Sequence, residues 1–63
     1  MQTYEIRLMA EQNWPAETHI FATDSLASAV ARAKTLLGRN SGLESAEVRS
    51  RGGVLLHGIG HAA

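Results

Sequence analysis

The chain contains no cysteine among its 63 residues, and this absence excludes several kinds of site. A disulfide framework, a thiolate zinc site and a cysteine nucleophile all require that residue. A chain of this length has a small hydrophobic core, and self-association often supplements such a core. We therefore predict a single domain over residues 1–63, with a frayed tail from about residue 58, and we expect it to form a homodimer.

Long apolar segments are also missing. The longest strongly apolar run is Val54-Leu55-Leu56, whereas a membrane-spanning helix needs about 20 such residues. The first five residues, from Met1 to Glu5, lack the basic start and the apolar stretch of a signal peptide. We therefore expect a cytoplasmic protein without membrane association.

Charge of one sign is not in excess, because six basic side chains balance six acidic ones. Proteins that bind nucleic acid usually carry a basic excess, since contacts with phosphate supply much of their affinity. The composition therefore favours a protein partner and makes nucleic acid a less favoured one.

One segment has clear helical periodicity and predicts a helix from about Ser25 to Leu37. Asp24 or Ser25 is suited to cap its first turn, and Gly38 is suited to a left-handed exit. The side chains at three- and four-residue steps form one apolar stripe, made of Leu26, Ala29, Val30, Ala33, Leu36 and Leu37.

Alternating polarity predicts two strands before the helix, Thr3–Met9 and Glu17–Thr23, joined by a loop over Ala10–Ala16. Alternation alone leaves open which face of the second strand is buried. We predict that Ile20 and Ala22 face inward, because a small Ala22 suits close packing beneath the helix. Phe21 then lies on the uncovered face.

A second hairpin is predicted after the helix, with strands at Leu43–Ser50 and Val54–Ile59. A three-residue loop at positions 51–53 pairs Val48 with Leu56 and Ser50 with Val54. A two-residue loop at positions 52–53 would pair Val48 with His57 instead. We favour the three-residue loop, because a glycine near its end can adopt the left-handed conformation of a bulged turn.

These elements define an α+β fold, a two-layer sandwich in which one helix covers one face of a four-stranded antiparallel sheet in the order β-β-α-β-β. The predicted core consists of Tyr4, Ile6, Leu8, Ile20, Ala22, Leu26, Ala29, Val30, Ala33, Leu37, Val48, Val54 and Leu56.

Patterns of catalytic residues are weak throughout the chain. His57 and His61 are four residues apart, but the two glycines between them disfavour the helix that would bring their rings together on a metal. Gly52-Gly53 is not followed by the lysine of a phosphate-binding loop, and no serine lies in a Gly-x-Ser-x-Gly motif. We expect a non-enzymatic protein without a cofactor or a bound metal.

The uncovered sheet face is the predicted binding surface. Apolar side chains rimmed by charges are typical of an interaction surface. Whether a foreign protein or a second copy of the chain covers this face is left open. Trp14, at the tip of the first hairpin, either folds back over the core or anchors a partner. The predicted partner-binding residues are Phe21, Met9, His19, Arg7, Arg49, Leu55 and Trp14.

Two family resemblances suggest which kind of protein the partner is. The run from Ile20 to Ala33 resembles the strand-to-helix junction of small phage and mobile-element proteins, including some anti-CRISPR proteins. That resemblance implies an inhibitor that masks a surface of a bacterial defence complex. The run Asp24-Ser25-Leu26-Ala27-Ser28-Ala29 is similar to the helix start of HicB-type antitoxin domains, which implies neutralisation of a toxin. A third hypothesis is a single-stranded nucleic-acid platform, in which bases stack on Phe21 between Arg7 and Arg49.

Overall fold

Five elements follow one another in the order β-β-α-β-β, which confirms the predicted α+β fold. The computed structural model describes residues 1–10, 14–39 and 42–60. The elements are the strands β1 (Gln2–Met9) and β2 (Pro15–Thr23), the helix α1 (Leu26–Arg39), and the strands β3 (Ser45–Ser50) and β4 (Leu55–Gly60). The strands form one antiparallel sheet in the order β2-β1-β3-β4.

The strand order determines where the helix lies. Helix α1 leaves β2 at one edge and returns to β3 on the far side of β1, so it crosses the sheet. It packs chiefly against the two inner strands, β1 and β3. Strands β2 and β4 form the two edges, and the opposite side of the sheet has no layer over it among the described residues.

The inner strands supply the centre of the core. Ile6, Leu8 and Val48 are fully buried, as the alternation of β1 predicts for the first two. Phe21, Val30, Leu36 and Ile59 are half-buried against this core. The buried apolar residues are Tyr4, Ile6, Leu8, Ala29, Ala33, Leu37, Leu43, Ala46 and Val48.

The helix begins with the predicted kind of cap, but its end differs from the prediction. The Ser28 amide donates to Ser25 Oγ at 3.1 Å, so Ser25 is the N-cap that the sequence suggests. The predicted left-handed exit at Gly38 is wrong, because the helix continues through Gly38 to Arg39 and Gly38 does not have a positive φ. Arg39 lies in the last turn, where its positive charge interacts favourably with the negative end of the helix dipole.

The predicted orientation of β2 is wrong. Residues directly opposite in an antiparallel pair share a face of the sheet, and Phe21 lies opposite the buried Tyr4. Phe21 is therefore on the helix side, where the Arg32 guanidinium carbon lies 5.5 Å from the centre of its ring. Ile20, predicted to be buried, is 68% exposed, and Ala22 is exposed as well. Burial of the phenyl ring of Phe21 stabilises the chain more than burial of the small Ala22 would, because the ring has more apolar area. The helix stands over the inner strands and leaves room for the ring above β2.

The turn of the second hairpin has the predicted three-residue form. The Ser50 amide donates to the Val54 carbonyl at 2.9 Å, and the Gly53 amide donates to the Ser50 carbonyl at 2.9 Å. Gly53 has φ +89°, the left-handed conformation that a glycine adopts without strain. The predicted pairing of Ser50 with Val54 is thus confirmed.

The pairing changes one step further into this hairpin. Arg49 lies opposite Leu55 but Val48 lies opposite His57, so Leu56 is an extra residue in a β-bulge. The predicted pair of Val48 with Leu56 is therefore wrong, and Ile59 packs against the core instead.

Besides Ile20 and Ala22, three more residues of the predicted core are exposed in the structure. Leu26 is the first residue of α1, Val54 closes the turn before β4, and Leu56 is the extra residue of the β-bulge, so all three lie at the margins of the core. The exposed residues are Leu26, Val54 and Leu56.

Three predicted boundaries also shift. Strand β2 begins at Pro15, inside the segment predicted as a loop, and β4 continues to Gly60, inside the predicted tail. The rest of that tail, residues 61–63, lies outside the described residues. The strand predicted from Leu43 begins at Ser45, and Leu43 is buried just before it.

Candidate interaction surface on the open sheet face

We call the side of the sheet opposite α1 the open face. Its membership follows from the strand register, because residues opposite one another share a face and alternate residues along a strand return to it. The residues assigned to it are Thr3, Glu5, Arg7, Met9, Thr18, Ile20, Ala22, Ser45, Glu47, Arg49, Leu55, Gly58 and Gly60.

Four charged side chains lie at the centre of the open face, and we call them the charge quartet: Glu5, Arg7, Glu47 and Arg49. Glu5 lies opposite Arg49, and Arg7 lies opposite Glu47. Along β1, Arg7 Nε is 2.8 Å from Glu5 Oε2. Along β3, Arg49 Nη2 is 2.9 Å and Nε 3.1 Å from Glu47 Oε1. Each charge therefore has neighbours of the opposite sign along its strand and across the sheet.

Strand geometry explains this arrangement. An acid and a base two residues apart on each inner strand point to the same side, and the antiparallel register places unlike charges opposite each other. Arg49 is held further by its Nη1, which donates to the Gly53 carbonyl at 2.9 Å. Surface ion pairs of this kind, whose side chains are here between 22% and 40% exposed, contribute only about 0–1 kcal/mol each to stability. The quartet therefore matters less for folding than for the pattern of charge it presents.

Apolar side chains flank the charge quartet at both edges of the sheet. Ile20 on β2 lies opposite Glu5, and Leu55 on β4 lies opposite Arg49, so one row crosses all four strands. Ile20 is 68% exposed and Leu55 is 51% exposed. Met9 is half-buried near the far end of β1. The open face thus has an ionic centre with apolar margins.

The structure places four of the seven predicted binding residues on this face: Arg7, Met9, Arg49 and Leu55. The predicted positions of Phe21 and His19 are wrong. His19 lies opposite the buried Ile6 and Phe21 opposite Tyr4, so both side chains are on the helix side.

His57 lies opposite Val48 on the helix side because of the bulge in β4. The predicted pairing of Val48 with Leu56 would have placed His57 on the open face. Ile20 takes the place that Phe21 was predicted to fill. The sequence could have predicted this orientation from side-chain size, because burial stabilises the larger Phe21 more than it stabilises Ile20.

Trp14 stands apart from the open face, immediately before β2. Its side chain is 72% exposed, so it does not fold back over the core. The Ala10 amide donates to the Trp14 carbonyl at 2.8 Å and closes the base of the first hairpin loop. Trp14 remains a predicted anchor for a partner.

A shallow depression of about 420 Å³ adjoins the charge quartet and opens to solvent. Thr3, Glu5, Ile20 and Arg51 contribute to its lining. Its openness does not favour a site for a small molecule, since such sites usually enclose most of the ligand. We describe it as a shallow concavity at the border of the open face.

Searches of the described residues for a metal site, for unpaired buried polar side-chain atoms and for a membrane-spanning helix each find none. These residues hold no group of three or more histidine, aspartate or glutamate side chains close enough to bind a metal ion. Over the same ranges no side-chain polar atom is buried without a hydrogen-bond partner. No helix in the described part of the chain has the length and apolar character needed to cross a membrane.

Comparisons of the chain with protein-family models, with curated proteins and with solved structures find no match. The function must therefore be argued from the geometry of the surface itself.

Proposed function

We propose that the chain is a small non-enzymatic protein-binding module whose docking surface is the open face. The observation that carries this proposal is the exposure of Ile20 and Leu55 on either side of the charge quartet. Large apolar side chains on a sheet normally lie beneath a second layer, because burial stabilises them by about 25 cal/mol per Å² of apolar area. A partner that covers the open face would supply that layer.

A protein fits this face better than a nucleic acid does. The charge quartet is neutral as a whole, whereas a phosphate backbone favours an excess of positive charge. The two aromatic side chains of the strands, Tyr4 and Phe21, lie on the helix side. The predicted base-stacking platform therefore loses the ring on which it depends, and we do not propose it.

Binding at a sheet face acts by occupying a surface of the partner, without any chemical step. The resemblance of the run from Ile20 to Ala33 to anti-CRISPR proteins supports a specific form of this function, the steric masking of a bacterial defence complex. A plaque assay with a host whose defence complex is active tests that form. We expect expression of the chain to restore phage growth, and no restoration would contradict it.

A matched pair of charge reversals tests the docking surface. Arg7→Glu changes the open face, whereas Lys34→Glu makes the same change in charge at an exposed position of α1. We expect affinity-tagged wild type and Lys34→Glu to retain the same partner from a host lysate, and Arg7→Glu to lose it. Circular dichroism checks that both variants are folded.

The identity of the retained protein separates the inhibitor from the antitoxin hypothesis, because the partner would be a defence-complex subunit in the first case and a toxin in the second. Retention of the partner by Arg7→Glu as well as by wild type would show that the open face is not the docking surface.

A further inference from the structure

We infer that the open face also binds a second copy of this chain, and that this homodimer covers the docking surface until a partner displaces one copy. The inference rests on the proposed function, because it concerns the same surface. It follows from the symmetry of the charge quartet and from the positions of Ile20 and Leu55.

The charge quartet is complementary to itself. Consider two open faces related by a two-fold axis that runs along the strands, midway between β1 and β3. The rotation places β1 of one copy over β3 of the other. Glu5 then faces Arg49 of the second copy, and Arg7 faces Glu47 of the second copy. All four charges meet opposite charges, so the pairing has no like-charge contact at its centre.

The same rotation matches the apolar margins. It places edge strand β2 over β4 of the second copy, so Ile20 of each copy faces Leu55 of the other. Both side chains are mostly exposed in the single chain and become covered together. A foreign partner would have to reproduce the charge pattern and both apolar contacts, whereas a second copy has them by symmetry.

The area of the face indicates a weak dimer. Four strands at about 4.8 Å spacing and six residues at about 3.4 Å rise give roughly 400 Å² per copy. Two copies therefore bury roughly 800 Å² if the faces are treated as flat. This area is below the range of stable interfaces. A dimer of this size dissociates readily, which is what a surface needs if a partner is to replace the second copy.

Two double variants test the charge pattern. Glu5→Lys with Glu47→Lys makes the quartet wholly positive, and Arg7→Glu with Arg49→Glu makes it wholly negative. We expect wild type and Lys34→Glu to shift from monomer to dimer between about 10 µM and about 1 mM in sedimentation equilibrium. Each double variant alone remains monomeric, and a one-to-one mixture of the two forms a heterodimer.

A nuclear Overhauser measurement provides a test that needs no variant. Ile20 and Leu55 lie on the two edge strands, three strand spacings or about 14 Å apart within one copy. Such effects are seen only between protons within about 5 Å, so a cross-peak between the Ile20 and Leu55 methyl groups must arise between copies. We expect this cross-peak at high concentration and its loss on dilution.

Several results would overturn the inference. A wild-type chain that stays monomeric at about 1 mM has no such dimer. A dimer that persists in each double variant, or that lacks the methyl cross-peak, uses another surface.

The experiments can refute the self-pairing and the proposed docking surface independently of each other. If wild type is monomeric but Arg7→Glu still loses its partner, only the self-pairing is wrong. If the face dimerises but Arg7→Glu retains the partner, only the proposed docking surface is wrong.

Discussion

The orientation of β2 leads to a direct test on two adjacent residues. Phe21→Thr removes a side chain that packs on the helix side of the sheet, whereas Ile20→Thr removes one that is mostly exposed. Threonine is β-branched, so both variants keep a residue that suits a strand. A difference between them therefore reports which side chain is buried.

The magnitude follows from the burial of each residue. Removing a fully buried phenylalanine costs about 3–5 kcal/mol, and half-burial reduces this to about 2 kcal/mol. Loss of the contact between Arg32 and the ring adds about 0.5–1 kcal/mol. Ile20→Thr should change the free energy of unfolding by about 0.5 kcal/mol or less. A domain of this size has only about 3–9 kcal/mol in total, so the contrast is large.

Urea denaturation followed by far-ultraviolet circular dichroism measures both values. The protein concentration should be about 5 µM, so that pairing of copies does not add to the stability of the wild type. In thermal unfolding we expect Phe21→Thr to lower Tm by about 10 °C or more, and Ile20→Thr to leave it nearly unchanged. Greater destabilisation by Ile20→Thr than by Phe21→Thr would refute the orientation of β2, and with it the composition of the open face.

Two further predictions concern local backbone structure. Gly53→Ala forces an alanine to φ +89° and should destabilise the chain by about 1–2 kcal/mol, whereas Gly52→Ala lacks that strain and should cost much less; equal losses in urea denaturation would contradict the role of Gly53. Ser25→Ala removes the acceptor of the Ser28 amide and should cost about 1 kcal/mol, while Ser25→Asp keeps an acceptor and should cost little; equal stability of all three chains would show that the cap contributes nothing.

The sequence predicts the fold correctly where side chains and periodicity agree. The alternation of Tyr4, Ile6 and Leu8 predicts a half-buried strand, and the apolar stripe predicts the helix that covers the sheet. A left-handed glycine near the end of the turn is correctly predicted, and the structure identifies it as Gly53. Each of these depends on local pattern alone, which a single sequence contains.

The errors occur in the edge strands, where local pattern is ambiguous. In β2 both Ile20 and Phe21 are apolar, so alternation does not decide the face. The choice depends on how far α1 extends over that edge, which is a tertiary property. In β4 a single bulge at Leu56 reverses the faces of every later residue and moves His57 to the helix side. The faces of Arg7 and Arg49 are predicted correctly, because both residues lie on strands whose buried face is clear from the alternation.

The bulges also have a consequence for how copies of this chain meet. Register irregularities occur in the pairings of both outer strands, near Met9 in the β1–β2 pairing and at Leu56 in β4, while β1 and β3 pair without one. A flat outer strand offers its free backbone groups to any other chain and can start open-ended growth into fibrils. Irregular pairing next to both edge strands hinders that route. In the homodimer that we propose, contact between copies is made by side chains of the open face, and two copies related by a two-fold axis leave no open face for a third.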